Sequence, residues 1–116
     1  KSGNGWWWFS SNVIHKKINV NVKTISHFIE KFDLNRIDLL KIDTEGSEYK
    51  ILKGIEKKHF EKINFIYFEH HYDLMLDKSY KFSDINKLLK ENNFKMIFKI
   101  KMRFRKTFEY IYEKKK

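Results

Sequence analysis

Residues 37–55 read Ile37-Asp-Leu-Leu-Lys-Ile-Asp-Thr-Glu-Gly-Ser-Glu-Tyr-Lys-Ile-Leu-Lys-Gly-Ile55, and this stretch decides the fold. Ile37, Leu39, Leu40 and Ile42 form a dense apolar run of strand length, as in a strand buried at the middle of a sheet. Gly46 breaks the strand and Ser47 is placed to cap a helix. Tyr49, Ile51, Leu52 and Ile55 then follow at helical spacing for about two turns, until Gly54 weakens or ends the helix. The stretch is a strand, a turn and a helix in succession.

Working outward, the same unit recurs. After the Lys-rich segment from Glu56 to Lys62, residues Ile63 to Glu69 (INFIYFE) make a second buried strand, and Ser83 caps a helix carrying Ile85, Leu88 and Leu89, with Asn92 and Asn93 as its stop. Phe98, Ile100, Met102 and Phe104 alternate with basic residues. After a turn near Lys106 and Thr107, Phe108, Tyr110 and Tyr112 alternate in their turn, the pattern of an antiparallel pair at a sheet edge. Upstream, Ile18, Val20 and Val22 alternate as a short strand. Thr24 or Ser26 can cap a helix whose stripe is Ile25, Phe28, Ile29 and Phe32, ending near Asp33. Residues 1–12, with Trp6, Trp7 and Trp8 in a row, show no helix or strand period. The expected fold class is α/β: parallel strands with helices, closed by a C-terminal antiparallel hairpin.

Composition narrows the function classes. The chain has 116 residues, 41% hydrophobic and 17% aromatic, with 4 Gly and no Pro, which fits one globular domain. No Cys is present, so disulfides, thiolate metal sites and Cys nucleophiles are excluded. No apolar run reaches the roughly 18–20 residues of a membrane span and no signal-peptide pattern opens the chain, so the expectation is a cytoplasmic protein without a transmembrane segment. Net charge is +10, but Lys outnumbers Arg 22 to 3, and 14 Ile and 9 Asn with no Ala or Gln point to A/T-rich coding rather than to polyanion binding. Nucleic acid is therefore not the expected partner.

The chemistry gathers where strands end. Lys41 and Asp43 share one strand face, and Asp43, Glu45 and Glu48 bring three carboxylates to the strand–helix junction. Glu69, His70, His71 and Asp73 close the next strand. In open α/β sheets, ligands sit outside the carboxyl ends of the strands, so the two clusters are expected to face one crevice. A plainer role stands beside this one: Glu45 and Glu48 would also favour the positive end of the following helix by about 0.3–1 kcal/mol each.

IDLLKIDTEGSEYKILKGI followed by FIYFEHH resembles the signature of the FkbM-type S-adenosylmethionine-dependent methyltransferases. Lys41, Ile42, Asp43, Glu45, Gly46, Glu48, Leu52, Lys53 and Gly54 agree with its pattern and spacing, and the upstream VKTISHFI resembles the element before it, with Ser26 where the family has an aspartate. The resemblance implies a class I methyltransferase, Rossmann-like fold with a seven-stranded sheet, S-adenosyl-L-methionine as cofactor and a small-molecule hydroxyl as substrate. The family's glycine-rich loop and the acidic residue ending its second strand have no counterpart here, and the chain opens on Lys1. Residues 1–116 are therefore expected to be the C-terminal portion of one methyltransferase domain, inactive alone, with an unpaired apolar edge on the Ile37–Asp43 strand.

In this reading Asp43 lies nearest the reacting centre, Glu45 shapes the turn, and Glu69 or His71 takes a proton. Lys41, Glu45, Gly46 and Glu48 stand on the substrate or cofactor side. No dedicated metal motif is present, although Asp43, Glu69 and His71 make a weak alternative ligand set for a divalent ion. Another class of function is a small binding module: residues 95–116 hold 9 basic and 2 acidic side chains, a face suited to RNA or an anionic surface.

Overall fold

The computed structural model describes residues 6–10, 24–44, 46–71, 79–104 and 106–116. The elements are β1 (Trp6–Ser10), α1 (Ile25–Lys31), β2 (Ile37–Asp43), α2 (Glu48–Lys53), α3 (Lys57–Phe60), β3 (Ile63–His71), α4 (Phe82–Glu91), β4 (Phe94–Lys101) and β5 (Thr107–Lys114). The strands form one sheet in the order β1-β2-β3-β5-β4. β1, β2 and β3 run parallel, while β5 is antiparallel to both β3 and β4. This is a mixed α/β fold with a C-terminal hairpin at one edge.

Each element follows from its residues. In α1, Thr24 is the N-cap and its hydroxyl oxygen accepts from the His27 N–H at 3.0 Å, while Asp33 at φ 51° turns the chain towards β2. The buried positions are Ile25, Ser26 and Ile29, whereas Phe32 stays 44% exposed, so the helix is rotated from the expected apolar stripe. Ser26 explains the rotation. Its Oγ accepts from the Glu56 N–H at 2.7 Å and bonds His59 Nδ1 at 2.7 Å, which ties α1 to α3 through the interior. Gly46, buried at φ 93°, makes the β2–α2 turn in a backbone region that L side chains avoid. Gly54 ends α2 and allows a close approach, since a Cβ there would meet Thr24 Cγ2 at 3.3 Å. Asn93 at φ 68° links α4 to β4.

The core lies on one face of the sheet. Leu40, Ile42, Ile66, Phe68, Tyr110 and Tyr112 point from β2, β3 and β5 into a layer built with Ile29, Leu52, Ile85 and Leu89 of the helices. Phe82 of α4 stacks on Tyr110 at 4.2 Å between centroids, and the Tyr112 hydroxyl donates to Asn86 Oδ1 at 2.6 Å. The opposite face, the open face, is only partly exposed: Leu39, Phe65, Tyr67 and Ile111 are half-buried and Phe98 and Ile100 are each 45% exposed, whereas Ile37 and Ile63 on it are buried.

Three expectations are corrected. Residues 6–10, read as without a period, are a strand that pairs in parallel with Leu39–Asp43, so the edge of β2 expected to be unpaired is covered. The hairpin begins earlier than alternation indicated, at Phe94, because the register shifts between Met96 and Phe98 and changes the alternation partway along β4. Thr107, placed in the turn, belongs to β5. The strand expected at Ile18 to Val22 lies outside the described residues. Among the described residues, no helix is long and apolar enough to cross a membrane.

Candidate active site

Side chains alternate across a strand, and cross-strand partners share a face. This rule sorts the polar residues at the carboxyl ends of β2 and β3 into two groups, one on each side of the sheet.

On the helix-covered side, Glu48 is fully buried at the first turn of α2. Its Oε2 accepts from the Tyr80 hydroxyl at 2.7 Å and is bonded to His70 Nδ1 at 2.8 Å, while its Oε1 has no partner. Thr44, also fully buried, has an unpartnered Oγ1. The three bonded groups come from α2, β3 and the segment before α4, so one carboxylate joins three parts of the chain.

On the open side, the register aligns Lys41 with Tyr67 and Tyr67 with Ile111, then Glu69 with Glu109 and His71 with Thr107. Asp43, two residues after Lys41, extends the same row beside Glu69. Lys41 Nζ lies 5.3 Å from the Tyr67 ring centroid, a cation–π contact. Partial burial pushes the Tyr67 hydroxyl above the usual tyrosine range, and its hydrogen bond to Glu109 together with the charges of Glu109, Glu69 and Asp43 pushes it further the same way. Asp43, Glu69 and Glu109 are half-buried. His71 and Thr107 are buried, and His71 Nδ1 and Thr107 Oγ1 have no partner.

The structure therefore brings Asp43, Glu69, His71 and Lys41 to one face and places Glu48 on the other. The three carboxylates expected at the strand–helix junction do not form one group, because Asp43 stands on the open face whereas Glu48 rises on the helix packed against the covered face. Glu45 lies outside the described residues. Gly46 holds the turn between the two groups. Among the described residues, Asp43, Glu69 and His71 do not converge as metal ligands. The group whose ligand atoms all lie within 4.8 Å is Glu30, Glu56 and His59. That group sits before the amino ends of β2 and β3, where Lys58 Nζ already bonds Glu30 at 3.2 Å and holds its carboxyl below the usual range.

Sequence reasoning did not single out Tyr67, Tyr80, Glu109 or Thr107 as site residues. Glu109 and Thr107 join the site through the β3–β5 register, which pairs positions about 40 apart in the chain. Tyr80 joins through a hydrogen bond spanning 32 residues. The expected βα junctions give no signal for either. On the basic hairpin, Lys99 lies 4.8 Å from the Phe108 ring centroid.

Polar groups gathered at the carboxyl ends of adjacent parallel strands are shared by many α/β proteins, and comparison with known proteins places the chain in a family of methyltransferases. The methyltransferase FkbM domain family matches residues 2–96, and the chain belongs to this family. It is similar to methyltransferase sdnD of Sordaria araneosa, 36% identical over 55 residues, which cover 40% of this chain and 21% of that protein. It is also similar to methyltransferase 1 of Beauveria bassiana (strain ARSEF 2860), 32% identical over 79 residues, 67% of this chain and 30% of that protein. The chain thus spans less than a third of the length of these relatives. No solved structure matches. Nothing in these comparisons supports the binding-module reading.

Proposed function

We propose that this chain is the carboxyl-terminal part of an S-adenosylmethionine-dependent O-methyltransferase domain of Rossmann-like type, acting on a hydroxyl of a small metabolite or sugar. The observation that carries the reading is the row Lys41, Asp43, Tyr67 and Glu69 at the carboxyl ends of two adjacent parallel strands, in a chain of the FkbM family. Ligands of open α/β sheets sit at that position.

The donor set suits one side of such a cofactor. Carboxylates at the strand ends favour a positively charged sulfonium, and the Gly46 turn carries no side chain that would obstruct a neighbour. Asp43 and this turn would flank the cofactor, while the described residues include no glycine-rich turn following a strand to hold its amino-acid end, which this reading assigns to other parts of the domain. When bound, S-adenosylmethionine supplies an electrophilic methyl group.

The chain's own residues do the rest. Asp43 orients the reacting groups from the end of β2. Glu69, one strand over, is placed to accept a hydroxyl proton, with His71 as the next group along the same face. Half-burial keeps these carboxylates reachable while limiting the water around them. Glu48, bonded to His70 and Tyr80, holds the β2–α2 turn against β3 and so sets where Asp43 stands. It acts as a positioning residue.

Asp43→Asn in the full-length enzyme is expected to lower turnover by at least a hundredfold with the fold intact, measured as transfer of a labelled methyl group. Turnover within threefold of the unmodified enzyme would remove Asp43 from the reacting centre.

A further inference from the structure

We infer that Glu30, Glu56 and His59 form a binding site for a divalent transition-metal ion of the zinc type, which clasps α1 to α3 at the end of the sheet opposite the candidate active site.

Three observations carry it. The first is convergence. The ligand atoms of the three residues all lie within 4.8 Å of one another, although Glu30 belongs to α1, Glu56 is the N-cap of α3 and His59 lies within α3. Glu56 and His59 stand three residues apart, so one helical turn brings both to the same side. Zinc bonds of about 2.0–2.2 Å at a tetrahedral angle set neighbouring donor atoms roughly 3.3–3.6 Å apart. His59 Nε2 and Glu30 Oε2 stand 3.5 Å apart. Bringing Glu56 onto the same point takes only rotation of a side chain that is 56% exposed.

The second observation concerns the imidazole and is independent of the acids. His59 is 2% exposed, and its Nδ1 is bonded to Ser26 Oγ at 2.7 Å. The same Oγ accepts from the Glu56 N–H at 2.7 Å. A serine oxygen has two lone pairs, so it can accept from Nδ1–H as well, which leaves the Nε2 lone pair directed at the carboxylates. Metal-ligating histidines are held in this way, through a hydrogen bond on the ring nitrogen that does not ligate.

The third observation is that the fold already gathers positive charge at this point. Lys58 Nζ lies 3.2 Å from Glu30 Oε2 and 3.9 Å from Glu56 Oε1. Its ammonium holds the Glu30 carboxyl in the ionised form that ligates a metal. Lys58 is 63% exposed, and exposed ion pairs are weak, so its side chain can swing into water when a doubly charged ion arrives. An imidazole among the donors suits zinc, whereas magnesium and calcium favour oxygen alone. Because α1 leads into β2 and α3 into β3, the ion would fasten the entries of both strands. The length of β2, about 3.3 Å per residue, separates it from Asp43, so its role is to hold the fold and not to take part in the reaction.

The test is titration of the chain with zinc chloride, and separately with magnesium chloride, near pH 7 and at constant ionic strength, followed by NMR of the histidine ring nitrogens. One equivalent of zinc is expected to shift His59 Nε2 saturably and to raise the urea midpoint, since an ion that binds the native state stabilises it. Magnesium at tenfold higher concentration should do neither. Glu30→Gln and Glu56→Gln should each weaken zinc at least tenfold. Lys58→Met removes only an exposed competitor and should tighten zinc severalfold, so the test does not depend on replacing the buried His59. An unmoved His59 while zinc occupies other histidines, zinc affinity within twofold of the unmodified chain in both glutamine variants, or no tightening in Lys58→Met would each overturn the inference. The readout uses neither cofactor nor methyl transfer, so it stands or falls apart from the methyltransferase reading.

Discussion

The two faces of the sheet at the carboxyl ends of β2 and β3 use acidic residues in opposite ways. On the covered face, Glu48 is enclosed completely, and two hydrogen-bond donors from distant parts of the chain converge on one of its oxygens. On the open face, Asp43, Glu69 and Glu109 stand half-exposed in a row, with a like-charged pair directly opposed across strands. A buried carboxylate without partners would cost several kcal/mol, so burial of Glu48 is tolerable only because its bonds are built in. Carboxylates left in partial contact with water need no such construction. The difference teaches that Glu48 organises the structure, and it is the open row to which the proposed function assigns the chemistry.

The largest test of this contrast is Glu48→Ala. It removes the acceptor of both the His70 and Tyr80 bonds inside a closed core, leaving two buried donors unpaired. Breaking a buried charged network in this way is expected to destabilise the fold by about 3–5 kcal/mol. Urea unfolding followed by tyrosine fluorescence measures it. A loss under 1 kcal/mol would mean that Glu48 is not the joint between α2, β3 and α4, and the contrast between the faces would collapse.

A smaller effect sits on the open face and appears at alkaline pH. A tyrosine in the unfolded chain titrates near pH 10, whereas burial, the Glu109 bond and neighbouring carboxylates hold folded Tyr67 above that value. The unfolded state then releases a proton that the native state keeps. The stability concerned is fully present below pH 10 and falls as pH rises beyond it. The slope due to one tyrosine is at most about 1.4 kcal/mol per pH unit, and less here because solvent screens a part-exposed site. Tyr110 and Tyr112, raised by burial alone or mainly by burial, contribute in the same direction from the covered face. Tyr67→Phe should make the decline between pH 10 and 11.5 shallower in urea titrations. Identical slopes in the two proteins would show that the open-face carboxylates do not act on Tyr67.

How much of this could be read from the sequence depends on whether the information was local. β2, β3 and their order with the helices were legible, because Ile37 to Asp43 and Ile63 to Glu69 are apolar runs bounded by polar residues. Asp43 and Glu69 were legible as strand-end residues for the same reason. β1 was not, since three consecutive Trp conceal any alternation, and its assignment as a strand comes from pairing with β2. The burial of Ser26 in place of Phe28 and Phe32 depends on partners 30 and 33 residues away. Glu109 is the clearest case. It reads as one more polar position of an edge hairpin until the antiparallel register of β5 sets it opposite Glu69.

That register also makes the smallest test the sharpest. Glu109→Gln keeps the side chain's size and leaves an acceptor for the Tyr67 hydroxyl, so the change is almost purely the removal of one negative charge opposite Glu69. Cross-strand pairs are worth roughly 0.2–1 kcal/mol, and like charges directly opposed sit on the unfavourable side of that range. Losing the charge is therefore expected to stabilise the ligand-free protein by about 0.2–1 kcal/mol in urea unfolding near pH 7. Comparable truncations of buried acids go the other way, which gives the experiment a sign as well as a size. Screening predicts further that the gain shrinks at high salt, because these carboxylates are part-exposed. A loss of more than 1 kcal/mol would mean that Glu109 is held by the fold as Glu48 is, and the contrast between the two faces would fail.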